Sequence, residues 1–387
     1  MLLRSAALLS AVPLRSSPGS SRIAALGSDH LQACRSRFRG DGRAALGLTN
    51  HLVAFGVSFG VLHRSSQLRW RLSSRRSSST TVATHVTRPR HTQIWTVDSF
   101  ADAAFGGNPA AVCIADGLDD ESMRLIAREM NLSETAFVCR DLDGSASSWG
   151  LRWFTPTVEV ALCGHGTLAA AHALWEAGFC PKTEAISFTT RQSGILTISR
   201  EESGMIEMNF PADAPVGSAG SQSLVGTTVV RGLGILEDDV MWSGKNETGD
   251  IFVEISAELF GQLNPPDLGI LAETDARGIV PFCASSSALE ALLGLRGGAL
   301  RGVDFVSRFF GPRIGISEDP VTGSAHWGLG PLWASRLGRG DGEAVVGYQA
   351  SERGGRVSVV VDGKRALLRG SAVTVLEGKL RLPAVSV

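Results

Sequence analysis

The chain has no CxxC pair, and its six cysteines (34, 113, 139, 163, 180 and 283) are scattered along 387 residues. That spacing argues against a zinc-finger site and against a disulfide scaffold, and leaves reduced thiols as the default. The apolar run LVAFGVSFGVL (52–62) stops at 11 residues, short of the roughly 20 needed to span a bilayer. The frame GxxxxGK[ST] is missing, so GGNP (106–109) is not a phosphate loop. Lysine and glutamate are both absent from the first 91 residues, which carry 14 Arg against Asp29 and Asp41 alone. The other 296 residues hold 23 basic and 36 acidic groups without a basic cluster, so no nucleic-acid binding is expected of the folded part.

An Arg-rich, Ser-rich and acid-poor start is the composition of an organelle transit peptide. It is densest in RSSQLRWRLSSRRSSSTT (64–81). Residues 1–91 are therefore expected to be a targeting extension for a mitochondrion or a plastid. A disordered basic tail is the alternative, with a cytoplasmic protein as its consequence. The remainder is long enough for about two domains, and no membrane contact is expected of it.

The ordered part is expected to begin near His91. IWTVDSF (94–100) has strand character, and LDDESMRLIAREM (118–130) has the period of an amphipathic helix capped by Asp119 or Asp120. LSETAFV (132–138) and GLRWFTPT (150–157) read as strands, and Gly164 to Gly178 as a helix. The segment 211–245 is less regular, and with the loops flanking the cleft it is the expected seat of specificity.

One pattern occurs twice, in order. RWFTPTVEVALCGHGTLAAAHALW (152–175) aligns with SRFFGPRIGISEDPVTGSAHWGLGPLW (307–333), pairing Arg152 with Arg308, Phe154 with Phe310 and Glu159 with Glu318. Cys163–Gly164 then corresponds to Thr322–Gly323, and a small-residue helix ending in Leu-Trp follows in both. Helices with so few charges are expected to be buried. The expected architecture is α+β: two similar lobes, 92–210 and 211–387, each a barrel-like, mostly antiparallel sheet around a central helix. The last strand is open to a return into the first lobe.

The chain resembles the PhzF-like family of phenazine-biosynthesis-like isomerases. The resemblance rests on VDSFADAAFGGNPAAV (97–112), MNLSETAFV (130–138), LRWFTPTVEVALCGHGT (151–167), NETGDIFVEI (246–255), SRFFGPRIGISEDPVTGSAH (307–326) and QASERGGRV (349–357). It implies a diaminopimelate-epimerase-like fold with the active site between the lobes, proton-transfer chemistry without a cofactor, and a homodimer.

Glu134 is the expected general acid/base, a role the resemblance assigns to the LSET glutamate. Alternation places it on one face with Leu132, Ala136 and Val138, and desolvation there is expected to raise its pKa. The helix starts at Gly164–His165–Gly166 and Gly323–Ser324 present free N–H groups and a positive dipole end, suited to a carboxylate-bearing small molecule. By resemblance His165 and Asp319 line the pocket and assist Glu134, His165 as relay and Asp319 orienting the substrate. Asn108 is a weaker substrate-side candidate. Cys163 and His165, two residues apart, look poorly placed for a nucleophile–base pair. His165 and His172 are two helical turns apart and no carboxylate completes a ligand set, so no metal is expected. An isomerase with one base is the leading reading. A two-base epimerase would need a second thiol, and Thr322 stands where Cys163 would find it. A scaffold that has lost turnover is the non-enzymatic alternative.

Overall fold

The computed structural model describes residues 90–140, 145–219 and 226–382. The expected targeting stretch therefore lies outside the described residues, apart from its last two, which open the first strand.

The first repeat runs through β1 (Arg90–Ser99), β2 (Asn108–Ile114), β3 (Glu134–Arg140), β4 (Ser148–Phe154), the short β5 (Glu159–Val160), β6 (Ile186–Thr190), β7 (Ile195–Arg200) and β8 (Ile206–Pro211). β9 (Val216–Ala219) follows. The second repeat runs through β10 (Trp242–Lys245), β11 (Asp250–Glu254), β12 (Gly278–Ala284), β13 (Phe305–Ser307), β14 (Ala344–Gln349), β15 (Gly355–Asp362) and β16 (Arg365–Gly370), and β17 (Ala372–Leu382) follows it.

The pairing order is the same in both repeats. β1 is antiparallel to β2, β2 parallel to β3, β3 antiparallel to β4, β4 parallel to β6, and β6, β7 and β8 are successively antiparallel. β10 to β16 repeat these orientations step for step. An antiparallel seam between β8 and β16 joins the two halves. Each repeat then hands a strand to the other: β9 pairs with β10, and β17 pairs with β1. Antiparallel pairs dominate, and the parallel ones sit at equivalent places.

The helices are α1 (Asp120–Met130), α2 (Gly164–Glu176), α3 (Thr227–Leu233), α4 (Ala257–Gly261), α5 (Leu268–Leu271), α6 (Ser287–Leu292) and α7 (Gly323–Leu337). α2 and α7 are the expected central helices, and both are buried on most sides. Leu168, Leu174 and Trp175 of α2 pack with Val112, Ala136 and Val138 in one core cluster. Each such side chain contributes roughly 1.5–3 kcal/mol of burial. Leu329 and Trp333 of α7 pack with Phe252, Phe305 and Val345 in another.

The repeat reaches the side chains. Arg152 clasps Glu159 through a two-pronged contact of 2.7 and 2.8 Å and lies 4.9 Å from the centre of the Phe154 ring. Arg308 clasps Glu318 at 2.7 and 2.9 Å and lies 4.8 Å from the Phe310 ring. The Arg–x–Phe and Glu positions recognised in the sequence thus brace the approach to each helix start.

Candidate active site

Three local devices carry the functional side chains to one place. Asp119 caps α1 by accepting from the Ser122 N–H at 2.8 Å, and the helix ends on Asn131 at φ 50°. Asn tolerates this left-handed conformation better than most residues, and the chain turns there into β3 with Glu134 as its first residue. Along β3, Ala136 and Val138 face α2 while Phe137 faces the layer under α1. Period-2 alternation therefore points Glu134 towards the start of α2.

At that start Cys163 is the N-cap. Its Sγ accepts from the Gly166 N–H at 3.3 Å, so Gly166 is not the free donor expected of it. The N–H groups of Gly164 and His165, in the first turn, have no intrahelical acceptor. In the other lobe Gly323 and Ser324 open α7. A Cβ placed on Gly164 would lie 3.8 Å from the Gly323 Cα, and the reverse holds too, so the two helix starts abut.

A cavity of about 630 Å³ opens at this junction, lined by Glu134, Cys163, Gly164, His165, Asp319, Thr322, Gly323 and Ser324 among others. Asn108 stands behind them as a brace. Its amide reaches Asp319 Oδ1 at 2.8 Å, the Val321 carbonyl at 2.9 Å and His165 Nδ1 at 3.3 Å, tying β2 to the loop before α7.

Glu134 is 8% exposed, and its Oε2 lies 3.2 Å from His165 Nε2 without a well-aligned hydrogen bond. Burial pushes its pKa up. His165, then Cys163 and Ser133, outweigh burial and leave the carboxyl below its ordinary value. The expected rise is thus reversed, because a cation stands beside the group that alternation buried. Burial pushes His165 down, but Cys163 and Glu134 raise it well above the usual imidazole value. Since burial also holds the Cys163 thiol above its ordinary value, and so neutral, the pull at neutral pH comes from Glu134. Asp319 goes the other way: burial raises it, with the His165 charge and the Thr322 hydroxyl opposing. The two buried carboxyls of the site are thus shifted in opposite directions.

Cys163 Sγ lies 3.6 Å from His165 Nδ1 and 3.9 Å from Nε2. Two residues apart at an N-cap, the pair does meet, which corrects the expectation that its spacing keeps it apart. Glu134 completes a group of three potential ligand atoms within 4.8 Å of one another. The missing carboxylate thus comes from about thirty residues upstream in the chain.

The family model for phenazine biosynthesis-like protein matches residues 97–378. An uncharacterized isomerase of Halalkalibacterium halodurans is 41% identical over 75% of this chain and 99% of its own length. The human phenazine biosynthesis-like domain-containing protein is 37% identical over 74% of this chain and 98% of its own. This chain belongs to the phenazine biosynthesis-like protein family. It is an isomerase. Among solved structures, a PhzF-family protein from Enterococcus faecalis superposes with a TM-score of 0.64 at 32% identity, over 76% of this chain and all of that one. A predicted epimerase from Pseudomonas aeruginosa shares the fold, with a TM-score of 0.54 at 21% identity.

The phenazine biosynthesis-like fold also brings in residues that sequence reasoning missed. Arg277, just before β12, lines the cavity and donates to Ser324 Oγ at 2.6 Å and to the buried Asp250. The Ser324 hydroxyl is therefore engaged by a cation. Gln349 of β14 accepts from the Thr322 N–H at 2.9 Å and donates to the Asp319 carbonyl at 2.6 Å. The only signal for it was its place at the head of QASERGGRV. Segment 211–245, expected to set specificity, contributes no described residue to the cavity wall. Thr155, Thr157, Val158, Thr248, Ile314 and Ile316 do.

Proposed function

We propose that the protein isomerises a small carboxylate-bearing metabolite by removing a proton from carbon and returning it elsewhere, with Glu134 as general acid/base and no cofactor. The observation that carries this reading is the buried Glu134–His165 pair on the wall of a cavity where two helix starts abut. A carboxyl held as the anion is ready to accept a proton, and once protonated beside a cation it gives the proton back readily. His165 restrains Glu134 and takes up part of the charge change. Asp319, whose two oxygens accept from Asn108 and Thr322, orients a substrate amine or hydroxyl.

The substrate carboxylate is placed between the α7 start and the Arg277 guanidinium. The first-turn N–H groups of Gly164 and Gly323 face negative charge that develops on an enolate-like intermediate. A two-thiol epimerase has less support. Thr322 opposite Cys163 is a poor acid, and its hydroxyl already bonds Asp319 Oδ2 at 2.5 Å and Gln349 at 3.1 Å.

The test is deuterium incorporation from D2O into a panel of cyclic and amino-acid-derived carboxylates. Exchange by the wild type that disappears in Glu134→Gln supports the reading. Equal exchange by both proteins, or loss of exchange in Cys163→Ala instead, rejects it.

A further inference from the structure

We infer that Glu134, Cys163 and His165 form a binding site for one thiophilic divalent cation of the zinc class, whose arrival blocks proton transfer. The inference rests on geometry and does not depend on which of the three moves the substrate proton.

Zinc takes Cys, His and carboxylate ligands at about 2.0–2.3 Å. At a tetrahedral angle those lengths separate nitrogen from oxygen by about 3.4 Å and sulfur from nitrogen by about 3.6 Å. The site offers 3.2 Å between His165 Nε2 and Glu134 Oε2. It offers 3.9 Å between Cys163 Sγ and the same nitrogen. All three side chains are buried, and their ligand atoms lie within 4.8 Å of one another.

A second observation concerns Glu134 alone. Its Oε2 is buried and close to Nε2, yet makes no aligned hydrogen bond. A metal cation seated between it and the ring would ligate both atoms in place of that unaligned contact. The three groups also line the cavity, which provides an entry path and room for a fourth ligand from solvent or from a bound carboxylate. Binding replaces the thiol proton of Cys163 and the Nε2 proton of the His165 imidazolium, both released to solvent, by metal–sulfur and metal–nitrogen bonds. It occupies a carboxylate lone pair of Glu134 at the same time. Cys163, which the proton-transfer reading leaves without a chemical task, thereby becomes the residue that makes the site selective for thiophilic ions.

The full chain is titrated with Co2+ in the absence of substrate, and the near-ultraviolet thiolate-to-cobalt band is followed. The expected result is a band that saturates at one cobalt per chain, is lost in Cys163→Ser, requires more cobalt in Glu134→Gln, and is bleached by Zn2+. The serine oxygen still accepts from the Gly166 N–H at the N-cap, so the variant should fold, which far-ultraviolet circular dichroism verifies. X-ray absorption on the wild-type cobalt protein gives a readout that needs no variant, with one sulfur expected in the coordination shell. No thiolate band, a band that survives in Cys163→Ser, unchanged cobalt demand in Glu134→Gln, or a shell without sulfur would each overturn the proposal. Each result is independent of whether any carbon acid exchanges, so failure here and failure of the isomerase mechanism are distinguishable.

Discussion

The two helix starts descend from one repeated pattern and have come to hold opposite chemistry. At α2 the capping position is Cys163, its sulfur accepts from Gly166, and the next side chain, His165, reaches across to Glu134. At α7 the equivalent Thr322 makes no cap bond, because its hydroxyl is turned to Asp319 and Gln349, and the next side chain, Ser324, is held by Arg277. One start gathers ionisable groups, and the other a set of hydrogen bonds around a carboxyl whose pKa burial raises. Duplication supplies two positive helix ends; in the proposed mechanism the residues beside each decide which end handles protons and which holds the substrate.

The sharpest way to break that comparison is to neutralise each carboxyl in turn. Glu134→Gln is expected to lower the deuterium-exchange rate by about 10²–10⁴-fold, the usual range for a lost general base. Asp319→Asn resembles the protonated acid and is expected to cost only about tenfold. Equal losses would mean that the two carboxyls are not differentiated as the site suggests.

The histidines offer the next test. His326 of α7 is fully buried, donates through Nδ1–H to the Thr322 carbonyl at 2.8 Å, and leaves Nε2 without a partner. Burial, only partly opposed by that contact, pushes its pKa down to about 4. A group with a folded pKa below its unfolded value stabilises above the unfolded value and loses that contribution as pH falls through the folded one. Denaturant melts should therefore show stability falling between about pH 6.5 and 4, by up to roughly 3 kcal/mol, and His326→Gln should flatten that slope. His165 has the opposite sign. Its raised value stabilises below the ordinary imidazole pKa, and the contribution is lost at alkaline pH as His165 deprotonates.

Asn108→Ala removes the brace between the halves and leaves Asp319 and the Val321 carbonyl short of a donor. Thermal or denaturant unfolding should report a loss of about 1–3 kcal/mol. The smallest effect belongs to the twin arginine clasps. Arg308→Ala is expected to cost about 1 kcal/mol. Arg152→Ala should cost slightly more, since Arg152 also reaches Asp120 at 2.7 Å. A clear reversal of that order would show that the clasps are not equivalent.

Much of this was legible in the residues. The spacing of Met123, Ile126 and Ala127 located α1, and its cap was one of the two aspartates named. The duplicated Arg–x–Phe, Glu and Gly positions located both helix starts. Glu134, His165, Asp319 and Asn108 do converge; of these only His165 and Asp319 lie in the segments that the repeat had marked. The charge state of Glu134 was not legible. Strand alternation shows that a side chain is buried but not what it is buried against, and a cation at the other end of the contact reverses the sign of the shift. Arg277 escaped because DARGIVPF has no period or spacing that distinguishes an arginine in a cavity wall from one in solvent.

What the sequence determined by itself was therefore everything that depends on short range and repetition: alternation in β3, the capped helix at 118–130, glycine-started helices with almost no charge, and the doubling of the module. The tertiary structure alone decided the partnerships, namely Glu134 with His165 and Cys163, Asp319 with Asn108 and Thr322, and Arg277 with Ser324. The physical reason is that local periodicity sets which way a side chain points. Its pKa, and with it its chemistry, is set by charges and dipoles within a few ångströms, contributed by strands and helices far away in the chain.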